Sequence, residues 1–124
     1  RYRASRIPLL RNYFPYVREA YSGPLWERQK LRLKAFRDTV AAHGGHLAVV
    51  TFPFFDVLGP HYPFESVHQQ LDDLWRSLEV PHLDLLGVYR GYTPKQLTVN
   101  RYDAHPNELA NRLAAEAVNA FLSP

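Results

Sequence analysis

The sequence predicts an α/β domain built on a parallel sheet, and three observations carry that expectation. Helical and strand patterns alternate in the order helix, strand, helix, strand, helix. The first strand pattern, Leu47-Ala48-Val49-Val50-Thr51-Phe52, is a nearly continuous apolar run of the kind buried on both faces of a sheet. A helical pattern separates it from the next strand, and parallel neighbours need such a crossover.

The elements follow in chain order. Residues 1–23 form an irregular basic lead-in, with a short helix between Arg6 and Arg18 interrupted by Pro8 and Pro15. Gly23-Pro24 marks a boundary, and Pro24 suits the first turn of a helix. From Leu25 to about Ala42, Trp26, Leu33, Phe36 and Val40 recur at helical spacing, and Gly44-Gly45 ends the run. The strand Leu47–Phe52 comes next, stopped by Pro53, and Phe54 to Tyr62 read as a loop. Phe64, Val67, Leu71, Leu74, Trp75 and Leu78 trace one stripe, which predicts a helix over 64–79. Pro81 precedes a second strand, His82-Leu83-Asp84-Leu85-Leu86. A loop with Gly87, Gly91 and Pro94 then runs to Asp103. The last helix starts near Pro106, with Leu109, Ala110, Leu113, Ala114, Ala117, Val118 and Phe121 on its apolar face.

Length and composition bound the rest. At 124 residues the chain is the size of one domain, and 46% hydrophobic with 22% charged residues is a globular balance. The longest apolar stretch, Leu47 to Phe55, is interrupted by Thr51 and Pro53 and falls far below the roughly 18 residues of a membrane span. Without cysteine there is no disulfide framework, thiolate metal site or thiol nucleophile. With no methionine and Arg1 at its start, the sequence is expected to be a processed or excised chain.

The net charge of +3 is unevenly spread. Residues 1–37 carry ten Arg or Lys against Glu19 and Glu27, a local +8, whereas residues 38–124 carry five basic and ten acidic residues, a local −5. The basic part is interleaved with Tyr2, Tyr13, Phe14, Tyr16 and Tyr21, a composition able to follow a phosphate backbone. No helix-turn-helix, RNP or zinc-finger spacing accompanies it, so no specific nucleic-acid partner is expected. His43, His46, His61, His68 and His82 show no metal-ligand spacing, and no metal is expected. Asp84, inside an apolar strand, is expected to bond to the backbone of a neighbouring loop.

Ligands of open parallel sheets bind outside the carboxyl ends of the strands. The loop that follows the second strand ends in Tyr102-Asp103-Ala104-His105-Pro106-Asn107, a carboxylate two residues from an imidazole at the start of a helix. That spacing suits a general base: Asp103 would hold the ring tautomer of His105 and stabilise its imidazolium. The plainer reading is a helix cap, since Asp, His and Asn commonly precede Ala-rich helices. Asn107 fits either role, orienting the loop or capping the helix, and the cap is favoured. Phe54 and Phe55, just past a strand end, are candidates for an acyl-group pocket, with ordinary core packing as the alternative.

The stretch Asp103-Ala104-His105-Pro106-Asn107, followed by Glu108-Leu109-Ala110-Asn111-Arg112-Leu113-Ala114-Ala115-Glu116-Ala117, resembles the last conserved block of SGNH/GDSL-type serine hydrolases. Val49-Val50-Thr51-Phe52-Pro53 is similar to that family's penultimate strand, and Pro81-His82-Leu83-Asp84-Leu85 to its short last strand. The resemblance spans the whole chain, but only as the C-terminal half of such a domain. Two departures stand out. The commoner pattern places two residues between Asp and His, and only Ala104 intervenes here. No Gly-Asp-Ser block or G-x-S-x-G elbow surrounds Ser5, Ser22, Ser66, Ser77 or Ser123.

The resemblance implies a three-layer α/β/α flavodoxin-like fold, incomplete in this chain, and cofactor-free hydrolysis of acyl or acetyl esters. It assigns the catalytic His and Asp to His105 and Asp103 and leaves the nucleophile to a missing N-terminal half or a second chain. The 124 residues alone are then expected to be inactive. Two strands also make too narrow a parallel sheet, so further strands are expected from outside the sequence. The competing readings are a non-catalytic interaction module with a basic N-terminal arm, and a degenerate hydrolase without its serine.

Overall fold

A computed structural model describes residues 13–124, which divide into two compact units at His46/Leu47. Part of the expected Arg6–Arg18 helix and the first basic residues lie outside the described residues, and residues 13–20 are helical. No helix among the described residues is long and apolar enough to cross a membrane.

The first unit is dominated by helix α1, Gly23–Ala42, with Pro24 in its first turn. At its other end the Gly45 amide donates to Val40 O at 2.9 Å, closing the helix. A Cβ on Gly45 would come within 2.9 Å of Val40 Cγ1, so the tight exit requires glycine. Trp26 is the buried residue of α1, packed on Tyr21 with ring centres 5.4 Å apart. The expected apolar stripe is only partly covered. Leu33 and Val40 are half-buried, while Leu25, Leu31 and Phe36 are exposed among Arg and Lys side chains.

The second unit contains the strand–helix–strand segment. Strand β1, Val49–Thr51, runs parallel to β2, His82–Asp84, with Val49 opposite His82 and Thr51 opposite Asp84. Helix α2, Glu65–Ser77, forms the crossover and buries Val67, His68, Leu74 and Trp75. Both strands are shorter than their sequence patterns. Ala48 and Phe52 are exposed and Val49 to Thr51 half-buried, so the run reading as an interior strand has one hydrogen-bonded neighbour among the described residues. A 3₁₀ turn, Phe55–Val57, follows β1.

The expected loop after β2 is structured. Leu86–Tyr89 is a short helix, α3, so the apolar residues at 85 and 86 leave the strand and enter the core. A second short helix, α4 (Pro94–Leu97), leads into β3 (Thr98–Asn100), which pairs antiparallel with β4 (Asp103–Pro106). Helix α5, Glu108–Leu122, closes the chain. The core gathers Phe64, Leu85, Tyr89, Leu97 and Ala110, all essentially without solvent contact. The Tyr89 hydroxyl donates to Ala110 O at 2.7 Å, fastening α3 to α5 and satisfying a buried polar group. The architecture is thus mixed α/β, with a two-stranded parallel sheet and a separate two-stranded antiparallel one among the described residues.

Candidate functional site

Asp103 and His105 sit on β4, where alternation along a strand points both side chains to the same side. The hairpin before them is tied by Asn100, whose Oδ1 accepts the Tyr102 and Asp103 amides at 2.8 and 3.1 Å. Asp103 Oδ1 accepts the His105 amide at 3.0 Å and lies 2.5 Å from His105 Nδ1. A carboxylate accepts only, so Nδ1 carries the proton of that bond and Nε2 is left as the ring's basic nitrogen. The His105 side chain is 86% exposed and that of Asp103 is 43% exposed. The pair can therefore take a proton from a group that approaches from solvent.

Asn107 fills the capping role and does more. Its Oδ1 accepts the Ala110 amide at 3.0 Å at the start of α5, while its Nδ2 donates to Gln96 O at 2.8 Å and Thr98 O at 3.3 Å. The Asn107 amide donates to Leu97 O at 2.9 Å. One side chain thus joins α4, β3 and the α5 N-terminus two residues beyond His105, fixing where β4 ends.

Phe54 and Phe55 separate. Phe55 is buried against Tyr89 at 4.9 Å between ring centres, and Phe54 is half-buried against Phe64 at 5.1 Å. An open groove of about 910 Å³ lies elsewhere, lined by Val99, Pro106, Leu109 and polar residues including Asn111 and Arg112. Neither phenylalanine lines it. The aromatic residue left exposed at the end of β1 is Phe52.

The backbone bond of Asp84 is local and not to a neighbouring loop: it accepts the amide of Leu86, two residues on at the start of α3, at 2.9 Å, and a second bond from His68 Nδ1–H at 2.9 Å. Burial works to raise the Asp84 carboxyl, but the bonds from His68 and Leu86 and the nearby imidazoles of His68 and His82 outweigh it and hold it below the usual carboxylate range. His68 Nε2 lies 2.9 Å from Tyr62 Oη, which accepts the Phe54 amide at 3.1 Å. Burial, with Asp84 and Asp56 adding to it, pushes the Tyr62 phenol up to about 12 against the lowering effect of the Phe54 amide, so its hydroxyl keeps its proton at neutral pH.

A parallel chain runs beside it. Thr51 Oγ1 lies 2.7 Å from His82 Nε2, and His82 Nδ1 donates to Asp72 Oδ1 at 2.9 Å. Sequence reasoning weighed His68 and His82 only as metal ligands and missed both chains. The available signal was Asp84 itself, a carboxylate on a strand covered by a helix that carries His68 and Asp72 one turn apart. No group of three or more His, Asp or Glu residues is placed to hold a metal ion among the described residues. Compared with protein-family models, curated proteins and solved structures, the chain matches none.

Proposed function

We propose that this chain contributes the His–Asp half of a serine ester hydrolase of SGNH/GDSL type, acting on acyl or acetyl esters. The observation that carries the reading is the 2.5 Å contact between Asp103 and an otherwise exposed His105 just ahead of the last helix. A serine from outside these residues attacks the ester carbonyl. His105 Nε2 takes the hydroxyl proton as the new C–O bond forms, then returns it to the leaving alcohol; Asp103 keeps Nδ1–H in place. Water hydrolyses the acyl-serine by the same proton route. The fold that goes with this reading is the three-layer flavodoxin-like sheet, with further strands beside β1. Its single hydrogen-bonded neighbour among the described residues supports that expectation.

The test is p-nitrophenyl acetate hydrolysis by the protein joined to its serine-bearing segment. His105→Ala is expected to lower turnover by roughly three to six orders of magnitude. A retained rate removes His105 from the reaction. The 124 residues alone should show no serine-dependent turnover above background.

The exposed Leu25, Leu31 and Phe36 among the basic residues of α1 favour one second reading, a non-catalytic interaction module. Salt-dependent binding to a polyanion, with no labelling by a fluorophosphonate, would put it first.

A further inference from the structure

The chain of bonds Asp84–His68–Tyr62 ends on the backbone of the segment after β1, and that segment supports the strand bearing His105. Asp84 belongs to β2, His68 to α2, and Tyr62 to the loop before α2. The Tyr62 hydroxyl meets the Phe54 amide, one residue ahead of the 3₁₀ turn Phe55–Val57. That turn packs directly against β4 and α4. Tyr62 is 8% and His68 5% exposed, so neither is positioned to meet a substrate.

We infer that Tyr62 and His68 are positioning residues, which fix the turn Phe55–Val57 and through it hold β4 so that Asp103 and His105 stay in register. The catalytic value of that register rests on the hydrolase reading above; the mechanical coupling does not. Proton bookkeeping makes the chain directional. The Asp84 carboxylate accepts only, so His68 donates from Nδ1, and in the neutral ring its Nε2 accepts the Tyr62 hydroxyl proton. The phenol oxygen is then free to accept the Phe54 amide. Each group has one role, so the chain specifies one orientation of the loop instead of several. The neighbouring chain Thr51–His82–Asp72 joins β1, β2 and α2 without reaching the loop, and serves as an internal control.

The test is amide hydrogen exchange and proton NMR on the 124-residue chain, comparing Tyr62→Phe, His68→Gln and Thr51→Val. Tyr62→Phe is expected to speed exchange of the Phe54 amide about tenfold, the effect of losing one hydrogen bond. Both Tyr62→Phe and His68→Gln should shift the His105 Cε1–H resonance and weaken the nuclear Overhauser contact between the His105 ring and Asp103 Hβ. The Trp75 amide in α2 should stay protected, and Thr51→Val should leave the His105 signals unchanged. An unchanged His105 signal in Tyr62→Phe and His68→Gln overturns the inference. Equal disturbance by Thr51→Val also overturns it, because the effect is then general loosening. If one variant fails to fold, the other decides against the Thr51→Val control. None of these measurements needs turnover, so failure of the hydrolase reading in the ester assay is seen separately.

Discussion

His82 Nδ1 lies 2.9 Å from Asp72 Oδ1, so the first residue of β2 is bonded to the middle of the crossover helix. Four residues earlier on that helix the polarity is reversed, with His68 donating to Asp84 at the end of β2. Helix and strand therefore exchange an imidazole for a carboxylate at two levels. Such reciprocal bonds allow one register: sliding α2 by a turn would face His68 with His82 or Asp72 with Asp84, leaving buried donors or acceptors unmatched.

Asp72→Ala is expected to destabilise the second unit by about 2 kcal/mol, since it leaves the enclosed His82 donor without its acceptor. Urea unfolding followed by Trp75 fluorescence measures it. The Arg76–Asp72 pair adds little, because the Arg76 side chain is 74% exposed. A loss below about 0.5 kcal/mol would show that water replaces the carboxylate.

Asp84 makes stability depend on acid. Its carboxyl is held below the unfolded-chain value, so its contribution is complete above the ordinary carboxylate range and is lost as pH falls through the folded value. Asp84→Asn should cost about 2 kcal/mol at neutral pH, the worth of hydrogen bonds to a charged acceptor. The difference from wild type should narrow below about pH 4. A gap that stays constant from neutral to acid pH would contradict this account.

Phe55→Ala should cost about 3 to 5 kcal/mol by opening a cavity beside Tyr89, whatever ester is offered. Phe52→Ala should be nearly neutral for stability, because Phe52 is 48% exposed. Thermal unfolding of the two variants distinguishes an aromatic core residue from an aromatic surface one. Similar losses in both would refute the assignment.

Asn107→Ala removes the α5 cap and both Nδ2 bonds to the α4–β3 segment. The expected loss is about 1 to 2 kcal/mol, more than a surface cap alone gives. Asn107→Asp restores the Oδ1 acceptor but not the two donors, so it should recover only part of the loss. Full recovery would show that the cap alone matters.

In the joined protein, Asp103→Asn should slow ester turnover by roughly two to four orders of magnitude without changing the melting temperature. Asp103 and His105 are exposed enough that their loss leaves the core intact. Equal rates for Asp103→Asn and wild type would remove Asp103 from the proposed pair.

The strand–helix–strand order, α1, α2 and α5, and the nearness of Asp103 to His105 were legible in the sequence, for they depend on neighbours within a few residues. Periodicity places Phe64, Val67, Leu74 and Trp75 on one face, and two residues along a strand return a side chain to the same side. The hairpin Thr98–Pro106 was not legible, because its strands are three and four residues long and carry no alternating pattern. Nor was the fate of Phe55, or of His68 and His82: each is decided by a partner 16 to 34 positions away, brought close by chain folding. Local pattern sets which element forms and which face is apolar. Only tertiary packing decides which buried imidazole meets which carboxylate, because that choice depends on the register of elements distant in sequence.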